Sequence, residues 1–259
     1  MHDPQESNDE QPHSRPTLVA DERLDGAATA QEAEPNRLLK ALSLEDYAWL
    51  LPQLGTVRLH QKDVLIHPDV PIPYVWFPRA GVCSIIATEQ EGGDVEVGTV
   101  GFEGLVGLPL LFGDDMMSNR VIVQVAGEGV RMRATEFKRV LDERPSMRKV
   151  FLRYASYFTS QLSQSVACNR IHTLEERCAR WLLMTHDRVH QTEFELTHEF
   201  LALMLGVRRA GVTVAMGTLQ NAGIVRYVRG RITVVDRTKL EEASCGCYQL
   251  TQVALARLL

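Results

Sequence analysis

Leu196-Thr197-His198-Glu199-Phe200-Leu201-Ala202-Leu203-Met204-Leu205-Gly206-Val207-Arg208-Arg209 reads as a helix that ends in a tight turn. Thr197 is placed to cap that helix, whose apolar residues at 200, 201, 204 and 205 share one face. Gly206 follows the last of them, where a residue free to take positive φ can stop one helix and swing the chain into the next. From Arg208 to Asn221, Val212, Ala215, Met216 and Leu219 lie on one side of a second helix, leaving Arg208, Arg209, Gly211, Thr213, Val214 and Gly217 largely outward. Gly223 to Val228 and Arg231 to Val235 are β-branched runs separated by Arg229-Gly230, the pattern of a hairpin. Helix, turn, helix and a two-stranded wing make a winged helix-turn-helix. A helix that buries one face and offers the other to a groove implies DNA binding.

Charge points the same way locally. Between Thr197 and Lys239, seven basic residues (Arg208, Arg209, Arg226, Arg229, Arg231, Arg237, Lys239) stand against two acidic ones (Glu199, Asp236), a balance of +5 in a chain of net charge −5. Phosphate neutralisation needs such an excess. The acid is concentrated in the first 36 residues, nine Asp or Glu against two Arg, so the remainder of the chain is slightly basic.

At 259 residues and 45% hydrophobic, the chain has material for one large or two small cores. No apolar run approaches the roughly 20 residues that span a bilayer, and no basic start followed by an apolar core marks a secretion signal. A soluble, cytoplasmic protein without a membrane partner is expected. Five cysteines (Cys83, Cys168, Cys178, Cys245, Cys247) fit no disulfide framework and read as reduced thiols. Cys245-Gly246-Cys247 is too closely spaced for a Cys-x-x-Cys clasp and has no second pair, so it reads as a surface turn, with two adjacent thiols open to redox chemistry. His60 and His67 lack the His-x-His pair and following Glu of a cupin-type metal barrel and read as surface histidines. No metal and no cofactor are expected.

Along the chain, residues 1–36 read as a disordered acidic tail, too poor in large apolar groups to order itself. Residues 37–144 follow as a sensor domain. Its runs Val64-Leu65-Ile66, Tyr74 to Phe77, Val82 to Ala87, Val95 to Val97, Val121 to Val125 and Val130 to Met132 are broken by Gly and Pro, as in a barrel or jelly roll. Pro145 opens a segment without Gly or Pro, and residues 145–171 read as a long dimerisation helix and hinge. Phe151, Tyr154, Tyr157, Phe158, Gln161 and Ser165 recur on it at spacings of three and four, a stripe wide enough to pack on the barrel and on a second copy. Residues 172–245 hold the winged helix-turn-helix and 246–259 a C-terminal tail. The fold class is α+β: an N-terminal β-roll of jelly-roll type, a long dimerisation helix and a C-terminal winged helix-turn-helix.

That order and length resemble the Crp/Fnr superfamily of bacterial transcription regulators over roughly residues 37–239. The match rests on His172-Thr173-Leu174-Glu175-Glu176-Arg177-Cys178-Ala179-Arg180-Trp181-Leu182-Leu183, on Leu205-Gly206-Val207-Arg208-Arg209 at the turn, and on Gly101-Phe102-Glu103-Gly104-Leu105-Val106-Gly107, which is similar to the family's glycine-rich turn. The resemblance implies a homodimer on a palindromic double-stranded DNA site, an effector at the β-roll and RNA polymerase as a partner. It also implies base-reading roles for Arg209 above all, with Arg208, Ala210, Thr213 and Val214 beside it. Thr197, Arg226, Arg229 and Arg231 become phosphate-contact candidates. Ala210 and Val214 stand where relatives carry Glu and Arg, so a different operator is expected.

The effector candidates are Gly104, Leu105, Ser118, Asn119 and Arg120. Cyclic-nucleotide binders of the family hold the ribose with a Glu and the phosphate with an Arg beside Ser or Thr. Here Leu105 takes the first position and Met117 the second. A buried phosphate without its cation is strongly disfavoured, which argues against cyclic AMP or cyclic GMP unless Arg120, two or three residues away, takes the role. A ligand-independent regulator is one alternative reading. Another is a metal- or redox-responsive β-barrel sensor or enzyme, which would need a convergent His and carboxylate set in the barrel. A third, a module that regulates a partner protein, predicts no salt-sensitive DNA affinity.

Overall fold

The computed structural model describes residues 17–88, 93–189 and 191–258. Three helices lead in: α1 (Thr17–Glu32), α2 (Arg37–Lys40) and α3 (Leu44–Leu50), the last capped by the Ser43 hydroxyl. Seven antiparallel strands follow: β1 (Gly55–Leu59), β2 (Val64–Ile66), β3 (Tyr74–Pro78), β4 (Val82–Thr88), β5 (Asp94–Val100), β6 (Arg120–Val125) and β7 (Gly127–Arg133). They form two sheets, ordered β1-β7-β3 and β2-β6-β4-β5, which is the expected β-roll. After α4 (Ala134–Glu143) come the long α5 (Pro145–Ile171) and α6 (Leu174–Val189). The winged helix-turn-helix is completed by β8 (Glu193–Glu195), α7 (His198–Leu205), α8 (Arg209–Asn221), β9 (Val225–Val228) and β10 (Arg231–Val234), before α9 (Arg237–Ala243) and α10 (Cys247–Leu258).

Two cores meet at β4. Side chains alternate across a strand, so Cys83 and Ile85 fill the roll while Val82 and Ile86 join the core of the C-terminal domain. The roll is therefore a wall of the second domain.

From residue 17 on, the amino-terminal segment is not the disordered tail its composition suggests. Residues 1–16 lie outside the described residues, but 17–32 are helical and the chain from Ala27 on is docked. Ala27 is buried, and Gln31 Nε2 donates to the Leu42 carbonyl at 2.9 Å. Glu34 is buried in a two-point ion pair with Arg79 and accepts from the Tyr47 hydroxyl at 3.0 Å. Asn36 donates to the Pro78 and Gly104 carbonyls at 2.7 and 2.9 Å while capping α2. Alanine supplies helix propensity, and a few well-partnered polar groups supply the anchor that composition alone does not reveal.

Of the two surfaces expected against the aromatic stripe of α5, the barrel is the one that covers it. Phe151 lies 6.1 and 5.3 Å from the rings of Phe77 and Phe137, and Phe151, Tyr154, Tyr157, Phe158 and Gln161 are all buried within the chain. Gln161 donates to the Thr99 carbonyl at 3.0 Å, and Ser165, partly buried, accepts from Arg180 at 3.2 Å. The six predicted interface residues thus close α5 onto its own roll and onto α6. Gly104 is needed for this fit: a Cβ there would stand 2.2 Å from the Tyr154 ring.

The carboxyl end is likewise not a loose tail. Leu258 of α10 enters the roll core, Gln252 donates to Asp187 of α6 at 2.8 Å, and Cys245 and Cys247 are buried rather than on a surface turn.

Candidate nucleic-acid interface

α7 and α8 are bent by 107°, within the range of helix-turn-helix units. The Thr197 hydroxyl accepts from Phe200 N at 3.2 Å, and Gly206 ends α7 at φ +62. Val212, Ala215, Met216 and Leu219 bury the inner face of α8, while Arg208, Arg209, Ala210, Thr213 and Val214 are exposed. Val214, 65% exposed, is a bare valine on the outer face. Arg209 Nε pairs with Glu199 Oε1 at 2.8 Å in open solvent, and Thr213 Oγ1 lies 3.1 Å from His198 Nδ1, whose ring stacks on Tyr227 at 4.2 Å.

The wing turn Arg229-Gly230 has φ +50 and +80, the two positive values that a type I′ hairpin requires. β8 adds a third strand beside β10, which the sequence reading omitted. That strand changes the charge account. Arg231 is held by Glu193 and Glu195 at 3.1 and 3.3 Å, and Arg237 by Asp187 and Glu241 at 2.7 and 2.9 Å. Their charge is largely met within the chain, whereas Arg208, Arg226 and Arg229 are exposed. Thr197 is exposed beside them at the start of α7.

Within the roll, a cavity of about 320 Å³ is lined by Ile85, Val97, Val100, Leu105, Phe112 and Met117 and closed by Tyr154, Phe158 and Leu162 of α5. Of the predicted effector residues, Leu105 and Asn119 line it. Gly104 instead packs under Tyr154, Arg120 is paired with Asp94, and Ser118 is not in the lining. Asp114 is the only ionisable lining group among the described residues apart from the Tyr154 phenol, so Arg120 does not replace the missing phosphate partner.

Residues missed by the sequence reading tie the two domains together. Arg188 of α6 and Glu103 of the glycine-rich turn form a buried pair, with Nη2 and Nε at 2.7 and 3.0 Å from Oε1. Gly101 N also donates to Oε1 at 3.1 Å, and Arg188 Nη1 donates to the Met184 carbonyl at 2.8 Å. The carboxylate holds the Arg188 guanidinium charge far above the usual arginine range, against the opposing effect of burial. Nothing local in the sequence marks two residues 85 positions apart as partners.

Nearby, Trp181 Nε1 donates to Glu96 at 2.8 Å, and burial pushes the Glu96 carboxyl up to about 7, opposed by hydrogen bonds and by Arg188 and Arg180. The folded chain then holds a proton that the unfolded chain releases. This contribution to stability is complete below about pH 4.5 and lost as pH rises through about 7. Urea midpoints of wild type and Glu96→Gln on either side of that window should diverge, the wild type losing about 1–2 kcal/mol relative to the variant as pH rises. Parallel curves would contradict it.

No single helix among the described residues is long and apolar enough to cross a membrane. Residues 176–243 match the Crp-like helix-turn-helix domain family. The transcriptional regulator SdrP of Thermus thermophilus is 26% identical over 197 residues, spanning 72% of this chain and 93% of that protein. The structure of FixK2 from Bradyrhizobium japonicum superposes with a TM-score of 0.64 at 13% identity, over 74% of this chain and 98% of FixK2. A CRP-family transcriptional regulator from Thermus thermophilus gives a TM-score of 0.61 at 16% identity, over 73% of this chain and 96% of that one. At such identities the structural matches speak for the fold, while the domain match and SdrP speak for regulation rather than enzymatic chemistry. Residues 176–243 thus carry a Crp-like helix-turn-helix domain, and the chain as a whole has the fold of the Crp/Fnr regulators and is similar in sequence to a transcriptional regulator.

Proposed function

We propose that the protein binds a palindromic DNA site as a homodimer, each copy laying α8 in the major groove, and that the roll cavity takes a small effector. The outer face of α8 carries the reading: Arg208, Arg209, Ala210, Thr213 and Val214 project from a helix fixed by its buried face, with the wing arginines at its side. Arg209 is suited to bidentate contact with guanine, and Val214 or Ala210 to a thymine methyl. Thr197, Arg226 and Arg229 position the domain on phosphates. Anisotropy titrations of duplex DNA at increasing salt should show log affinity falling linearly with log salt, by about 0.9 per phosphate neutralised. Salt-independent binding would count against the reading.

Leu152, Ser156, Thr159, Ser163 and Val166 form an exposed line on α5 at alternating spacings of four and three. That is a heptad seam whose small hydroxyl residues let a second helix approach. It replaces the aromatic stripe as the dimer surface. Val166, 72% exposed, is the residue to test: Val166→Glu should shift the sedimentation equilibrium toward monomer without lowering the melting temperature. An unchanged dimer would place the interface elsewhere.

The cavity lining suits an apolar ligand without a phosphate. Because Tyr154, Phe158 and Leu162 belong to α5, such a ligand would press on the helix that sets the spacing of the two recognition helices.

A further inference from the structure

Four metal-ligating side chains from two distant stretches converge at the hinge end of α5, and none of them lines the roll cavity or the outer face of α8. Cys168 lies in the last turn of α5 and His172 caps it, four residues on and so on the same face. Cys245 and Cys247 flank Gly246 where α9 gives way to α10. The four ligand atoms lie within 4.8 Å of one another, with Cys168 Sγ to Cys245 Sγ at 3.5 Å and Cys247 Sγ to His172 Nδ1 at 3.6 Å. Around a zinc-like ion, with metal–sulfur bonds of about 2.3 Å and metal–nitrogen bonds of about 2.0–2.1 Å, neighbouring tetrahedral ligands stand about 3.5–3.8 Å apart.

Polar groups gather around the thiols, whose thiolate forms burial by itself disfavours. All three cysteines are buried, and Gln164 Nε2 donates to Cys247 Sγ at 2.9 Å, the kind of outer donor that orients a metal-bound sulfur. Arg180 is nearly buried, interacts with Cys168 and has a buried Nε without a partner among the described residues. Its positive charge would offset the single negative charge left by three thiolates, a neutral imidazole and a divalent ion. Plain packing of small apolar thiols accounts for burial, but not for a histidine, a side-chain amide and a guanidinium gathered around them.

We propose that Cys168, His172, Cys245 and Cys247 form a Cys3His site for a tetrahedral divalent metal ion of the zinc type, clamping the α9–α10 turn to the hinge between α5 and α6. Sulfur-rich tetrahedral donors favour zinc over harder divalent ions, and closure of loops 77 residues apart would couple the metal to the set of the DNA-binding domain on α5. The proposal is independent of the operator and effector readings above.

The test is titration of reduced, chelator-stripped full-length protein with Co2+ under argon, followed by Zn2+. One equivalent of Co2+ per chain should produce the intense visible and sulfur-to-cobalt charge-transfer absorption of a tetrahedral thiolate site, bleached by Zn2+. Cys245→Ser and, separately, Cys247→Ser should weaken binding by roughly 100-fold or more with unchanged far-ultraviolet dichroism, while Cys83→Ala keeps the wild-type spectrum. Absence of a saturable one-to-one cobalt spectrum in wild-type protein overturns the proposal whatever the variants do. So does a spectrum that survives Cys245→Ser, or recovery of Cys168 and Cys245 as a disulfide from metal-supplemented reduced protein.

Discussion

Arg209→Ala is expected to lower affinity for the preferred palindrome by about 2–6 kcal/mol over its two half-sites, roughly thirty-fold to above ten-thousand-fold, and to relax the preference at one base pair in each half. In the free chain Arg209 is paired with Glu199, but both side chains are more than half exposed. An exposed pair contributes about 0–1 kcal/mol, so DNA displaces Glu199 at little cost and the variant should fold as well as wild type. The matched control is Arg229→Asn, because asparagine tolerates the positive φ that Arg229 adopts. It should weaken binding to all sequences alike and reduce the salt slope by about one per subunit. Competition assays against specific and random duplexes measure both; equal effects of the two variants on the two duplexes would sink the base-reading assignment.

Glu103→Ala should be the most destabilising single change at the domain junction. It leaves the Arg188 guanidinium buried without its carboxylate, which costs about 3–5 kcal/mol, a large part of the roughly 5–15 kcal/mol that holds a typical domain together. Part of that loss is expected as release of α6 from the glycine-rich turn rather than as global unfolding. Urea denaturation followed by Trp181 fluorescence, alongside hydrogen exchange in α6, separates the two. The double variant Glu103→Leu with Arg188→Met should recover most of the stability, because replacing a buried pair by apolar groups is often neutral. A loss below about 1 kcal/mol for Glu103→Ala would mean that water reaches the pair and that the junction is looser than its geometry implies.

Much of the C-terminal domain was legible because its signals are local. Thr197 caps α7, Gly206 takes positive φ, and the in–out pattern of α8 follows from a 3.6-residue period. The β-roll strands were legible for the same reason. Features that depend on distant partners were not. Periodicity told that one face of α5 is buried, but not that Phe77, Phe137 and Thr99 rather than a second copy cover it. The basic balance of the wing was overcounted because Glu193 and Glu195 fall just before Thr197 and reach Arg231 only once β8 pairs with β10. Composition makes the acidic amino-terminal segment a disordered tail, yet Glu34 and Asn36 find Arg79 and the Pro78 carbonyl more than forty residues away. The thiols of Cys245 and Cys247 gain their neighbours Cys168 and His172 in the same way.

Whether α8 of two copies reads a symmetric DNA site is decided by selecting bound sequences from a random duplex pool with purified full-length protein and no added ligand. The expected result is a palindromic motif with half-sites centred about one helical turn apart, lost on Arg209→Ala. Enrichment of no motif, with binding that is weak and indifferent to sequence before and after that substitution, would contradict it.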